Sequence, residues 1–291
     1  MIIFRISIGK LLCLTVLLLS VMLSKVSAQS GDTTGLKSEL DKFLQTANRF
    51  SQFNGSVMVS YKGKVILNKG YGFKDVAAKS LNDQNTIFRI GSITKTFTAT
   101  LILMLEEQGK LSLQDKLSKY FPDFPAADKL TIQHLLNHSS GLYDYSIDLD
   151  RADSAIICHP VAKDKIVAQF SSQPLAFTPG SKFRYTNSGY YLLGLITEKV
   201  TGKSWEEAMR QYILSPLNMT HSGFDFRSLK SADKPVGYQV LNELVQTPDI
   251  AWDSTVTYAA GGLYSNTADM LAWAKAVTGQ KLLSREGCKK A

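Results

Sequence analysis

The chain has 291 residues, of which 44% are hydrophobic and 20% are charged. This composition is typical of a globular protein and excludes collagen-like repeats, a disulfide-rich miniprotein and an intrinsically disordered chain. The formal net charge is +8, and it falls to +5 without the three basic residues of the first 28 positions. Because the remaining Lys and Arg are scattered singly, the sequence gives little support for nucleic-acid binding.

Residues 1–28 have the pattern of a secretory signal peptide. Two basic residues precede an apolar run of 13 residues at positions 11–23. This run is shorter than the roughly 18–20 residues that a permanent membrane-spanning helix needs. Small residues before Gln29 predict cleavage after Ala28 and export to the periplasm or the medium, with an uncleaved anchor as the alternative. Only Cys158 and Cys288 follow this segment, too few for a disulfide framework.

The apolar spacing after the signal segment predicts helices and one hairpin. Residues 36–50 have helical spacing, whereas two β-branched runs at 55–61 and 64–68 flank a Lys-Gly turn and predict a hairpin. A long apolar helix is predicted at 92–108, with Gly109 as its stop. This order of elements predicts an α+β architecture. Shorter helices are predicted at 131–137, 189–200, 205–214 and 267–277.

Ser92 is the first candidate for chemistry, with Lys95 three residues later. On a helix these positions share one face, so the lysine can take the serine proton. The start of a helix also favours a developing oxyanion. The same spacing occurs at Ser7 and Ser231, but only Ser92 opens a long apolar helix and follows a glycine that leaves room for a substrate. A plain N-cap serine is the alternative.

Tyr185 and Asn187 form the second candidate. A tyrosine beside a lysine can relay protons once the positive charge lowers its pKa below the usual value of about 10. The asparagine amide can hold a substrate carbonyl. A similar run, Tyr264-Ser265-Asn266, is interpreted as the capped start of the helix that follows it.

Other patterns give weaker signals. His134 and His138 are four residues apart, as zinc ligands can be, but the Glu of that motif is missing and packing is the preferred interpretation. No Gly-x-Ser-x-Gly segment occurs, which argues against an α/β-hydrolase. We expect neither a metal nor an organic cofactor.

The segments around Ser92 and Tyr185, together with others along the chain, resemble the serine β-lactamase and penicillin-binding-protein superfamily. The second active-site motif here is Tyr-x-Asn, which resembles that of the class C β-lactamase and D-Ala-D-Ala carboxypeptidase branch. The resemblance implies that Ser92 is the acylated nucleophile and Lys95 its base partner. It also implies that Tyr185 is a proton shuttle and Asn187 a contact to the substrate amide. The matching segments follow the family order at residues 90–99, 111–116, 130–142, 177–180, 185–187, 215–219 and 260–263.

The resemblance also sets the expected fold, an antiparallel sheet flanked by helices plus a mostly helical lobe. The third active-site motif of the family consists of a Lys or His, any residue and a Gly, on a strand beside the nucleophile. His221-Ser222-Gly223 has these letters but falls at a loop position of the family pattern. We therefore expect a β-lactamase-related domain at residues 29–291 that is C-terminally incomplete and lacks several sheet strands.

The function expected from this resemblance is that of an exported serine hydrolase. It would form an acyl-enzyme on Ser92 with a β-lactam, a D-Ala-D-Ala peptide of peptidoglycan or a small ester. Its partners would be such substrates, without nucleic acid and without a permanent membrane span after signal cleavage. The alternative is a truncated, catalytically silent relative that binds peptidoglycan-like ligands or has no activity.

Overall fold

The computed structural model describes residues 33–149, 157–242, 244–249 and 252–290. The predicted signal peptide lies outside the described residues. The chain divides into two units at residues 1–43 and 44–291. Helix α1 (Thr33–Arg49) contains the described part of the first unit. The other described helices and all the described strands belong to the second.

The predicted hairpin is confirmed. Strand β1 (Gly55–Tyr61) pairs antiparallel with β2 (Lys64–Tyr71), which continues beyond its predicted end. Lys62 and Gly63 connect the strands with φ values of 48° and 79°. Two such residues in succession match the right-handed twist of the strands, which explains why a Lys-Gly pair marks this turn.

Three further two-stranded antiparallel sheets occur among the described residues. One of them pairs the segment just before Ser92 with the segment just after Gly262. Next to this strand pair, the Ile90 N–H donates to the Leu263 carbonyl at 3.0 Å. The strand pairs are β3 (Phe73–Asp75) with β4 (Ser80–Leu81), β5 (Phe88–Arg89) with β8 (Tyr264–Ser265), and β6 (Tyr238–Leu241) with β7 (Gln246–Pro248).

Among the described residues of the second unit, helices contain more residues than strands. The predicted helix at 205–214 is α-helical as far as Met209 and continues as a π-helical segment, Arg210–Leu214. The described helices after α1 are α2 (Thr94–Glu107), α3 (Ile132–Leu136), α4 (Ser146–Leu149), α5 (Lys163–Ser171), α6 (Asn187–Thr201), α7 (Trp205–Met209), α8 (Ser254–Gly261), α9 (Thr267–Thr278) and α10 (Arg285–Lys290).

Helix α2 lies at the centre of the core. It packs against α6 and α8, and its buried side chains include Phe97, Leu101 and Leu105. A 3₁₀ turn, Gly91–Ile93, precedes it, so Ser92 lies in this turn and not in the α-helix itself. The apolar positions of this helix are buried on several sides because helices flank it, which is why its sequence is apolar around most of its circumference.

Two polar patterns of the sequence have structural roles at helix starts. Thr131 and His134 form a capping box on α3, in which the Thr131 hydroxyl accepts from the His134 N–H and the His134 ring accepts from the Thr131 N–H. Asn266 caps α9 and accepts from the Asp269 N–H at 2.9 Å. The interpretation of Tyr264-Ser265-Asn266 as a capped helix start is therefore confirmed.

The architecture is mixed α+β, as expected, with helices around small antiparallel sheets. Cys158 and Cys288 are both free thiols. In the part of the chain that the structure describes, no helix is long and apolar enough to cross a membrane.

The packing of helix α6 predicts a contrast between two leucines. Leu193 is fully buried, whereas Leu195 packs only partly buried against the core. We expect Leu193→Ala to lower the free energy of unfolding by about 2–5 kcal/mol, because the cavity is enclosed. The matched variant Leu195→Ala should cost clearly less. Urea denaturation of both variants tests this, and equal losses would contradict the burial of Leu193.

Candidate active site

The structure brings the four predicted site residues together. Lys95 Nζ lies 3.1 Å from Ser92 Oγ and 2.8 Å from Asn187 Oδ1. The Tyr185 hydroxyl donates to Ser92 Oγ at 2.7 Å. The start of helix α2 and the start of helix α6, far apart in the sequence, thus converge on one serine oxygen.

Lys95 is a buried amine with three acceptors. Besides Ser92 and Asn187, the Ala260 carbonyl accepts from Lys95 Nζ at 2.7 Å. An ammonium group has three donors, so its hydrogen bonds are all made inside the protein. The side chain is only 5% exposed, and this burial lowers its pKa from 10.5 to about 8, against the opposing charge of Asp144. About a tenth of the molecules therefore carry a neutral Lys95 amine at pH 7.

Ser92 faces open space on its other side. It is exposed, and Gly91 before it has φ 50° with no atom within 4 Å of an added Cβ. Glycine adopts this left-handed backbone conformation without the steric penalty that a side chain adds. A cavity of about 300 Å³ adjoins this turn and is lined by Gly91, Gly262, Phe226 and Trp252 among others. The cavity thus lies beside the residue that precedes the exposed Ser92.

Tyr185 differs from the expectation in one respect. Its pKa is raised and not lowered, because burial and the charge of Asp144 outweigh the hydrogen bond to Ser92. The Lys95 ammonium lies over the ring, 4.8 Å from its centroid. Tyr185 is thus a neutral phenol that donates to Ser92.

Asp144 was not predicted from the sequence, although it orients Asn187. It is buried, and its carboxylate accepts from the Asn187 backbone N–H at 3.1 Å and from Nδ2 at 3.3 Å. Ser146 Oγ also accepts from Nδ2, at 3.0 Å. These bonds fix the amide so that its oxygen faces Lys95. No motif marks an aspartate at this position, so the sequence carried no signal for it.

His138 was also missed as a site residue. Its ring stacks on Tyr185 with 4.6 Å between centroids, and its Nδ1 accepts from the Thr186 N–H at 3.3 Å. Burial and the charge of Lys95 lower its pKa, so the imidazole is neutral at pH 7. It supports the tyrosine ring without adding charge. Its place in the family-like segment 130–142 was the available signal.

The histidines do not form a metal site in the described part of the chain. His134 belongs to the cap of α3, while His138 lies under Tyr185. Among the described residues, no group of three or more His, Cys, Asp and Glu side chains could hold a metal ion.

The second Ser-x-x-Lys pattern has a local structural role. Ser231 Oγ accepts from the Asp233 N–H at 3.1 Å. Lys234 Nζ donates to the Arg227 carbonyl at 2.7 Å. Both side chains bond within their own loop, which agrees with the choice of Ser92.

His221-Ser222-Gly223 likewise has structural contacts. The His221 N–H and the Ser222 hydroxyl both donate to Asp269 at 2.8 Å. Gly223 forms a bridge with Tyr264. This segment therefore contacts both the start of helix α9 and strand β8.

The buried amine predicts a pH-dependent stability. Between pH 8 and 10.5 the unfolded chain holds a proton on Lys95 that the folded chain releases, so the contribution of Lys95 to the free energy of unfolding should rise with pH in this window. Buried tyrosines whose pKa is raised, such as Tyr191, contribute with the opposite sign towards pH 10, so the rise is measured as the difference between wild type and a Lys95 variant. Lys95→Met should lose this rise, and Lys182→Met, at an exposed position, should keep it. Urea denaturation at both ends of the window measures the difference. Equal slopes in wild type and Lys95→Met would show that folding does not lower the pKa of Lys95.

Comparison with known proteins places this geometry in a family. Residues 45–290 match the Beta-lactamase family model. A relative named "Putative penicillin-binding protein PbpX", of Bacillus subtilis (strain 168), is 32% identical over 82% of this chain and 58% of its own length. A second relative, Protein flp of Staphylococcus aureus (strain COL), is 33% identical over 76% of this chain and 44% of its own length. The chain thus spans about half the length of the curated relatives that it matches.

Solved structures agree with this. A penicillin binding protein from Bacillus halodurans is similar with a TM-score of 0.75 and 29% identity, covering 84% of this chain and 76% of that one. A D-stereospecific amidohydrolase from Streptomyces sp. is similar with a TM-score of 0.64 and 27% identity, covering 70% and 64%. The chain belongs to the beta-lactamase family of serine hydrolases, with the β-lactamase/transpeptidase-like fold.

Proposed function

We propose that this protein is an exported serine hydrolase that forms an acyl-enzyme on Ser92 with amide or ester substrates. The observation that carries the proposal is the position of Ser92 Oγ between Lys95 Nζ at 3.1 Å and the Tyr185 hydroxyl at 2.7 Å. One neighbour can accept the serine proton and the other can donate a proton, which is the arrangement that nucleophilic catalysis needs.

Acylation begins with a neutral Lys95. Its amine takes the Ser92 proton as Oγ forms a bond to the substrate carbonyl carbon. Tyr185 then donates its proton to the leaving nitrogen or oxygen while the bond from that atom to the carbon breaks. The proton that Lys95 took from Ser92 then restores the phenol, so in total one proton has moved from the serine to the leaving group.

Deacylation uses the same groups. Water, or an amine acceptor, gives up a proton as it attacks the acyl carbon, and Ser92 Oγ recovers one as it leaves. Asn187, whose amide lies beside Lys95, is proposed to contact the substrate amide. Every step uses side chains of the protein, so the proposal includes no metal or organic cofactor.

The substrate classes we propose are β-lactams, D-Ala-D-Ala peptides of peptidoglycan and small esters. The names of the similar proteins support acyl compounds of this kind, since they include penicillin-binding proteins and a D-stereospecific amidohydrolase. A site that exposes Ser92 beside a cavity of about 300 Å³ has room for an acyl group of small-molecule size.

Covalent labelling tests the nucleophile. We expect a fluorescent penicillin to label the protein at Ser92, and Ser92→Ala to lose the label because no other serine has this pair of neighbours among the described residues. Ser231→Ala is the matched control and should label like wild type. Mass spectrometry of the labelled peptide locates the adduct. Label on Ser231, or unchanged label in Ser92→Ala, would exclude this assignment; an unlabelled wild type would favour the silent alternative.

Export is proposed from residues 1–28, whose basic start, apolar run and small residues fit a cleaved signal. We expect cleavage between Ala28 and Gln29 when the full chain is expressed in a secreting host. N-terminal sequencing of the exported protein checks this, with Ala28→Arg as the control that should block cleavage. An intact Met1 on membrane-bound protein would instead indicate an uncleaved anchor.

A further inference from the structure

Helix α8 contains a strained residue next to the site. Tyr258 has φ 37° and ψ −132°, which interrupts the helical backbone. A residue with a side chain rarely adopts this conformation, and it persists only where surrounding contacts fix it. Tyr258 is 5% exposed, so these contacts are all internal.

The ring of Tyr258 is held by close packing. The rings of Tyr191 and Trp205 lie 5.0 and 5.3 Å from it, between centroids. Gly194 of helix α6 faces it so closely that an added Cβ would lie 2.5 Å from Tyr258 Cε1. A glycine is therefore needed on α6 for the tyrosine ring to fit.

The hydroxyl of Tyr258 is held by a carboxylate. It donates to Glu198 Oε1 at 2.6 Å, and the same oxygen accepts from Lys163 Nζ at 2.6 Å and from the Trp205 N–H at 3.0 Å. Burial alone raises the pKa of Glu198, but the bonds from Lys163 and Tyr258 lower it below the usual value. Glu198 is thus ionised, and a hydrogen bond to a charged acceptor is among the stronger kinds.

Two carbonyls follow the strained residue and face the catalytic helix. The Ala259 carbonyl accepts from Thr98 Oγ1 at 2.8 Å, and the Ala260 carbonyl accepts from Lys95 Nζ at 2.7 Å. Lys95 and Thr98 are three residues apart and share one face of α2. The backbone directly after Tyr258 therefore supplies one of the three acceptors of the Lys95 amine.

We infer that Tyr258 and Glu198 are positioning residues for Lys95: their hydrogen bond holds the strained turn in the conformation that directs the Ala260 carbonyl at the Lys95 amine. The inference rests on the proposed function, in which Lys95 is the base. The positioning itself is measurable without turnover, because it acts on the protonation of one amine.

The direction of the effect follows from the hydrogen bond. A carbonyl acceptor favours the ammonium form, so its displacement lowers the pKa of Lys95. The other titratable groups around Lys95 lie on different segments and are unchanged in the variants below; they are Asp144, His138, Tyr185 and Tyr190.

The experiment is an NMR titration of the full chain with isotopically labelled lysine side chains. The Lys95 signal is assigned by its loss in Lys95→Arg. We expect Tyr258→Phe to lower the titration midpoint of Lys95 by about 0.5 pH unit or more, or about threefold in the neutral fraction below the midpoint. Tyr120→Phe is the matched control, since this buried hydroxyl donates to the Asp115 carboxylate at 2.7 Å, away from α8. It should titrate like wild type.

Glu198→Gln provides the second variant. It keeps the side-chain shape but removes the charge, and it should shift the midpoint in the same direction, so the test stands even if Tyr258→Phe does not fold. Wild-type midpoints in both variants would overturn the inference. If wild type is not labelled at Ser92, the proposed function is overturned. A shifted titration midpoint of Lys95 in the two variants would still support the positioning role.

Discussion

The burial of the Lys95 amine is the constraint on which the rest of the site depends. An amine removed from water must find its hydrogen-bond partners inside the protein or lose the free energy of its hydration. Its three acceptors come from separate segments, namely the turn before α2, the start of α6 and the end of α8. These segments must therefore pack in one relative arrangement. The core packing that stabilises the fold thus also sets the geometry of the site.

The charges around Lys95 are balanced so that its proton is mobile near neutral pH. Burial lowers its pKa to about 8, and Asp144 opposes this change. The carboxylate is bound to the amide of Asn187, which separates it from the amine. A carboxylate in direct contact would hold the lysine as an ammonium ion. His138 and Tyr185 are neutral, so the site has one group that changes charge easily and several that only donate or accept.

Local rules explain one part of the predicted site. The spacing of Ser92 and Lys95 brings their side chains together across the 3₁₀ turn and the first turn of α2, and in the fold the hairpin turn follows from its Lys-Gly pair. Tyr185 and Asn187 approach them only in the folded chain, and the family resemblance predicted their roles. The residue type of Ala260 gave no signal, because every residue has a backbone carbonyl and only the tertiary structure directs this one at an amine. The predicted direction of the Tyr185 pKa shift was wrong for a similar reason, since burial depends on the folded chain and cannot be read from the neighbouring residues in the sequence.

The site has a fixed inner side and an open outer side, and this division bears on specificity. Lys95 and Asp144 are buried and bonded to protein groups, whereas Ser92 and Tyr185 are exposed, the latter to 44%. In the proposed mechanism proton transfer uses both sides, because Lys95 is buried and Tyr185 is exposed. On the open side, Phe226 and Trp252 line a cavity next to the turn that contains Ser92. The similar structures include a penicillin binding protein and a D-stereospecific amidohydrolase, so the fold does not fix the substrate, and the proposed specificity must rest on side chains such as these and not on the fold.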